Sequence, residues 1–258
     1  MLNMEKNDKS FEILRNYLKA FTRNEILGSS LELSKISDIL AYNKIEPLIS
    51  YVSYGYESTE YPKWKKNKSL NLKRIKACKE IFNVLEEQGI LYAVIKGAHL
   101  DKVAYKDIGL RFSYDIDFLI EKKNYKKLHK LMTDFGFVAG EWNVDEKRIE
   151  VASRESILYN YIYTHQATPY VKIECHNGYD QDISVDLNFS ISWGEDKQGV
   201  DLTTHLLEDT QIVEYDNVKY RVLNPWEIIK NFRRVIQDII NILLIFELST
   251  YVNEFICI

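Results

Sequence analysis

Cysteine is scarce in this chain: 258 residues contain only Cys78, Cys175 and Cys257. They are too few and too scattered for a disulfide framework or a zinc cluster, and they suggest reduced thiols in a cytoplasmic compartment. Positive charge is not in excess either. The formal net charge is −4, so the composition as a whole makes no case for a nucleic-acid binder. No apolar run follows the charges of Met1-Leu-Asn-Met-Glu-Lys, which excludes a secretory signal there. A clean membrane span is missing too. Residues 235–252 are strongly apolar but are interrupted by Gln237, Asp238, Asn241 and Glu247, whereas a spanning helix wants roughly 20 mostly apolar residues. That segment reads as a buried core helix. Internal repeats and low-complexity stretches are absent. What is left is ordinary globular composition, 46% hydrophobic and 28% charged, with enough chain for one large domain or two smaller ones.

Hydrophobic periodicity divides the chain in three. Residues 1–89 read as a helical segment: Phe11, Leu14, Leu18 and Phe21 form one stripe with Ser10 as the expected N-cap. Further helices are expected over 31–42 and 45–52, separated near Asn43-Lys44. Another is expected over 69–88, capped by Ser69 and ended at Gly89. Residues 90–223 read as an α/β (α+β) core. The expected order is a strand over 91–95, a helix from Gly97 to Ala104, a strand over 113–120, a helix over 125–135 ending at Gly136, and a strand from Phe137. From 156 to 193 the chain is expected to be β-rich, with strands over 170–175 and 183–191 and a turn signal at Asn177-Gly178. A hairpin over 211–222 turns at Asp216-Asn217. Residues 224–258 read as a helical tail opened by Pro225.

The chemistry concentrates in three places. On the strand 113–120, Tyr114, Ile116, Phe118 and Ile120 alternate with Ser113, Asp115 and Asp117. Period two puts the two carboxylates on one face, about 6–7 Å apart along the strand. They repel each other, and the commonest good reason for holding them together is a divalent cation. Upstream, Lys96-Gly97 stands at a strand-to-helix turn. There a glycine admits close approach to the backbone, a helix N-terminus offers free N–H groups to phosphate, and Lys96 adds a point charge. Downstream, Ile183, Val185, Leu187, Phe189 and Ile191 face one way and Ser184, Asp186, Asn188, Ser190 and Ser192 the other, so Asp186 lies mid-strand on a polar face. A phosphate cradle, a carboxylate pair and a third carboxylate together describe nucleotidyl transfer from an NTP.

Lys96-Gly97, Arg111-x-x-x-Asp115-Ile116-Asp117 and Val185-Asp186-Leu187 resemble the bacterial uncharacterised nucleotidyltransferase family of the DNA polymerase β-type superfamily. Ala41-Tyr-Asn-Lys-Ile-Glu-Pro-Leu and Phe135-Gly136-Phe137 fit the same resemblance, which covers about residues 10–235. It implies a polymerase β-like core of mixed sheet with flanking helices. It also implies Asp115, Asp117 and Asp186 as metal ligands and catalytic residues for two Mg²⁺ ions, or Mn²⁺ in their place. Lys96, Gly97, Arg111 and Ser113 would be nucleotide-binding. The wider superfamily usually carries Gly-Gly or Gly-Ser at the turn, where this chain has Ala98 after Gly97. Family members tend to have a histidine where Asn188 stands. Implied partners are an NTP and an acceptor that is a small molecule, a tRNA or a protein. The abortive-infection nucleotidyltransferases share the Arg-Phe-Ser-x-Asp-Ile-Asp pattern, so a toxin–antitoxin role is an alternative, and non-catalytic nucleotide binding is another.

Other features carry blander expectations. Residues 63–79 hold eight basic and no acidic residues, with Trp64 among them; such a run is usually a solvated helix face, and otherwise a polyanion surface. Glu174-x-His176 reads as a strand end. His99 follows the glycine turn closely enough to face a nucleotide. The cluster Tyr159-Asn-Tyr-Ile-Tyr-Thr-His165 suits packing first and stacking on a base second. The chain ends Glu254-Phe-Ile-Cys-Ile258 without a polar cap, which suggests a truncated tail or one completed by a partner or a second copy.

Overall fold

The computed structural model describes residues 4–27, 36–42, 44–54, 63–96, 107–176, 179–191 and 199–224. They fall into two compact units, one built from residues up to Asn71 with the stretch 107–113, the other from 72–96 and 114–224.

The first unit is helical. Helix α1 (Met4–Thr22), α2 (Ser37–Tyr42), α3 (Glu46–Tyr54) and the start of α4 (Lys63–Ala77) enclose Leu14, Leu18, Leu40, Leu48, Val52 and Trp64. Tyr51 lies edge-on to Phe21 and Trp64, at 6.3 and 5.6 Å. Leu14, Leu18 and Phe21 of the expected α1 stripe are thus core residues. Ser10, however, sits inside the helix and does not cap it, because α1 begins at Met4. Between α2 and α3 the chain turns at Lys44, whose φ is +59°. Its amide bonds to Ala41 O and that of Ile45 to Leu40 O, both at 3.0 Å, a left-handed helix ending.

The single helix expected over 69–88 is two helices, α4 and α5 (Lys79–Glu87). Ser69 caps neither, since α4 starts six residues earlier at Lys63. One face of α4 is internal: Trp64, Asn67, Asn71 and Arg74 are all buried. Asn67 Nδ2 donates to Gly109 O at 2.9 Å and Arg111 O at 2.6 Å, and Asn71 Nδ2 to Ile108 O at 2.5 Å. Lys68 pairs with Asp107. A Cβ on Gly109 would stand 2.6 Å from both Trp64 O and Lys68 Cβ, so only glycine lets this loop lie against the helix. The basic run is therefore partly a structural anchor and not wholly a solvated face.

The second unit is built on a mixed sheet. Its strands are β1 (Tyr92–Ile95), β2 (Asp115–Ile120), β3 (Val138–Asn143), β4 (Arg148–Val151), β5 (Tyr170–His176), β6 (Tyr179–Asn188), β7 (Thr210–Tyr215) and β8 (Val218–Leu223). Their order is β4-β3-β5-β6-β2-β1-β8-β7, with β1–β8 and β2–β6 parallel. Helices α6 (Tyr125–Asp134), α7 (Arg154–Tyr163) and α8 (Gly199–Glu208) complete the α+β architecture that the sequence pattern predicts. On one sheet face Phe82 of α5 stacks on Tyr92, Phe118 and Tyr220 with centroids 5.4–5.8 Å apart. Tyr125, Leu128 and Met132 of α6 are also buried. The β7–β8 hairpin turns where expected, through Asp216 and Asn217 at φ +50° and +63°, the left-handed pair a tight hairpin requires.

Two expectations fail here. Residues 154–163 form helix α7 inside a stretch expected to be β-rich; Ser153 Oγ accepts from Ser156 N at 3.1 Å and starts the helix. The carboxylate strand begins at Asp115, not Ser113, and Tyr114 is 62% exposed instead of joining the apolar face. The helix expected from Gly97, His99, the Asn177-Gly178 turn and the tail over 225–258 lie outside the described residues. No helix among the described residues is long and apolar enough to cross a membrane.

Candidate active site

Three strands bring the predicted carboxylates together. β1 runs antiparallel to β2 with Ile95 opposite Asp117. β6 runs parallel to β2 with Ser184 beside Asp115, Asp186 beside Asp117 and Asn188 beside Leu119. Residues in register on adjacent strands share a face, so Asp115, Asp117, Ser184, Asp186 and Asn188 form one polar surface. Ile116, Phe118, Val185 and Leu187 fill the other face and are all buried.

The polar surface is crowded with negative charge. Asp117 is only 6% exposed. Its Oδ1 accepts from Lys96 Nζ at 3.3 Å and from Asn188 Nδ2 at 3.2 Å. Asn188, itself 1% exposed, also donates to Phe118 O at 3.3 Å. Burial raises the Asp117 carboxyl above the usual carboxylate range against the opposing pull of Lys96, and Asp115 raises it further. Asp186 is pushed up to about 7, first by burial and then by Asp115 and Asp117. Its carboxylate makes no hydrogen bond or ion pair among the described residues. Lys96 supplies the nearby positive charge from a left-handed backbone position, φ +54°. Such a conformation is uncommon for a side chain with Cβ and costs about 1 kcal/mol or more.

A family model described as uncharacterised nucleotidyltransferase matches residues 61–228. The chain belongs to this family. A search of curated proteins finds no match. The family's general activity is nucleotidyl transfer, and the matched stretch takes in every strand of the sheet and every residue predicted for the site.

The nucleotidyltransferase places those residues unevenly. Asp115, Asp117 and Asp186 share the β2–β6 face, and Lys96 reaches it from the end of β1. Arg111 and Ser113 belong to the helical unit: Ser113 is buried there, and Arg111 is held through its carbonyl by Asn67. Gly97 lies outside the described residues. Two neighbours of the site escape the sequence pattern. Asn188 falls on the predicted polar face, but its bond to Asp117 depends on the parallel register. Arg74 carries no signal of its own within the basic run; it is 6% exposed, burial lowers its pKa, and the charges of Asp182 and Asp115 partly restore it.

Carboxylate oxygens are the donors that a hard divalent cation takes. Three carboxylates crowd one face, and one of them makes no hydrogen bond among the described residues. Among the described residues no three acidic, histidine or cysteine side chains stand gathered closely enough to hold an ion in this arrangement. Lys96 meanwhile occupies Asp117 Oδ1.

Proposed function

We propose that the protein moves an NMP from an NTP to an acceptor hydroxyl, amine or phosphate and releases pyrophosphate, with a requirement for Mg²⁺. The observation that carries this reading is the β2–β6 register, which sets Asp186 beside Asp117 and on the same face as Asp115, in a chain of a nucleotidyltransferase family. Asp115, Asp117 and Asp186 would hold two Mg²⁺ (or Mn²⁺), which when bound supply charge stabilisation at the attacking and leaving oxygens.

The chain's own groups have separable tasks. Lys96 turns from Asp117 Oδ1 toward the triphosphate, exchanging one anionic partner for another; Gly97 lets the phosphates approach the backbone. Asn188 keeps Asp117 oriented after Lys96 leaves. Asp186 takes the proton of the acceptor as its oxygen (or nitrogen) bonds to the α-phosphorus. The bond from that phosphorus to the bridging oxygen breaks, and pyrophosphate departs with the electron pair. Arg111 and Ser113 are assigned to nucleotide binding on the motif alone.

The test is transfer of label from α-³²P-NTP to an acceptor in an Asp115→Asn/Asp117→Asn variant that retains the native far-UV spectrum. Labelling should vanish; persistent labelling would sink the mechanism. The pairing of Lys96 with Asp117 favours a second reading, nucleotide binding without turnover. Calorimetry showing Mg·NTP binding by a wild-type protein that labels no acceptor would select it. A toxin role predicts growth arrest on expression that Asp115→Asn relieves.

A further inference from the structure

We propose that Gln166 holds the acceptor beside Asp186, a role that rests on the transfer reading above. The chain before β5 continues alongside β6. Phe189 N donates to His165 O at 2.6 Å and Ala167 N to Leu187 O at 2.8 Å, and Gln166 pairs with Asn188 in the antiparallel sense. The first pair of β5 itself is Tyr170 with Val185. Between those two pairs, residues 167–169 on one side stand against 186 and 187 on the other. The extra residue makes a bulge, a device that re-aims side chains next to active sites. Carried back from Tyr170 without it, the register would set Gln166 opposite Phe189, whose ring meets Tyr125 and Tyr161 edge-on at 5.7 and 5.9 Å. A slip of one residue turns a side chain to the other face. Gln166 therefore shares the face of Asn188, Asp117 and Asp186.

Asp186 stands two residues before Asn188 on β6, so Gln166 is its diagonal neighbour, about 7–8 Å away between Cα atoms. Both side chains are half-buried, and neither makes a hydrogen bond or ion pair among the described residues. Other polar groups nearby are taken. Asn188 Nδ2 donates to Asp117 Oδ1 and to Phe118 O, and Asn160 Nδ2 donates to Thr168 Oγ1 at 2.9 Å. The Gln166 backbone is tied down by its N–H, which donates to Thr164 Oγ1 at 3.3 Å. A carboxamide is thus presented from a fixed point, next to the group assigned to take the proton of the acceptor.

The strand order decides which substrate arrives there. Lys96 follows β1 on one side of β2, and β6 with the 165–167 segment lies on the other. In the transfer reaction the attacking and leaving oxygens stand in line through the α-phosphorus. With the triphosphate tail on Lys96, pyrophosphate leaves toward β1 and the attacking oxygen comes from the side of β6. Gln166 is on that side. A carboxamide both donates and accepts hydrogen bonds and has no charge with which to neutralise a phosphate. It suits an uncharged hydroxyl compound, in which one hydroxyl attacks and a neighbouring one bonds to Gln166.

Glycerol is the probe. The full chain is incubated with Mg²⁺, α-³²P-ATP and molar glycerol, and labelled glycerol and labelled AMP are separated and counted. In the first product a glycerol oxygen bonds to the α-phosphorus, its proton passes to Asp186, and pyrophosphate leaves with the electron pair. In the second, water takes the place of glycerol. The ratio of the two products depends neither on the amount of folded protein nor on the affinity for ATP. Gln166→Ala should lower that ratio about tenfold, the effect of one hydrogen bond to the acceptor. Calorimetry on the same variant should give the wild-type affinity for Mg²⁺ with non-hydrolysable α,β-methylene-ATP. An unchanged ratio in an active Gln166→Ala protein overturns the proposal and leaves the transfer reading standing. A variant that forms neither product, or has lost ATP affinity, places the residue in the fold or at the nucleotide and overturns it too. A wild type that yields AMP alone does the same, because an uncharged hydroxyl compound is then not accepted. A wild type that yields neither product removes the transfer reading and this proposal together.

Discussion

The two faces of the β2–β6 strand pair are made from alternate residues of the same short segments, and they behave oppositely. On one face Phe118 and Val185 are fully buried, and Phe118 stacks with Phe82 and lies tilted against Tyr92. On the other, Asp117 and Asp186 stand in register, both with raised pKa values. The first face stabilises the fold through burial. The second is held there at a cost, because like charges are confined where water is scarce. Lys96 and Asn188 offset part of that cost at Asp117. The difference teaches that the carboxylates are not structural by default: a fold needing only a sheet would do better with Asn or Ser at those positions.

Substitutions on the two faces should therefore separate activity from stability. Asp115→Asn/Asp117→Asn should reduce transfer about 10³-fold or more, equivalent to roughly 4 kcal/mol of barrier, while the thermal midpoint stays level or rises; a large fall in that midpoint would make the acids structural. Phe118→Ala should do the reverse, costing about 3–5 kcal/mol in urea unfolding. Between these lies Asn188→Ala, which leaves the buried Asp117 carboxylate short of a donor and should cost about 1–3 kcal/mol; the same measurement on Asn188→Asp should show a greater loss through added like charge.

The smallest effect is in pH. Asp186 titrates near 7 in the folded protein and near 3.9 when unfolded. Between those values the folded chain holds a proton that the unfolded chain has released, so this group's stabilising share is full below about pH 4 and is lost as pH rises through about 7. In metal-free buffer the thermal midpoint should fall by roughly a few degrees between pH 5 and 7.5, and the fall should be smaller in Asp186→Asn. Equal slopes in the two proteins would remove the electrostatic contrast between the faces.

Part of this arrangement is legible in local sequence. Strict alternation in Asp115–Ile120 and over 183–188 fixes which side chains share a face, because the period of a strand is two whatever its neighbours are. Asp216-Asn217 announces its hairpin, since those residues tolerate the left-handed backbone the turn demands. Other local signals mislead. Tyrosine and isoleucine favour strands only where a pleated, half-buried sheet surface takes them. At 154–163 the Ser153 cap instead starts a helix, and the aromatic run lies on the surface. Ser10 and Ser69 have cap chemistry but fall within helices that start earlier. The basic run around Trp64 has the composition of a solvated face, because amide-to-carbonyl bonds from Asn67 and Asn71 to a loop some forty residues away leave no trace in periodicity.

By itself the sequence determined the strand faces, the α+β class, the hairpin over 211–222 and the pairing of Asp115 with Asp117 on one side, all consequences of local geometry repeated along a few residues. Only the tertiary structure decided that β6 lies parallel to β2 in the register that sets Asp186 beside Asp117, that Asn188 and Lys96 meet on one oxygen, and that Tyr161 of α7 stacks on Tyr125 of α6. Those are non-local pairings, set by which surfaces bury together, and no spacing within a single segment encodes them.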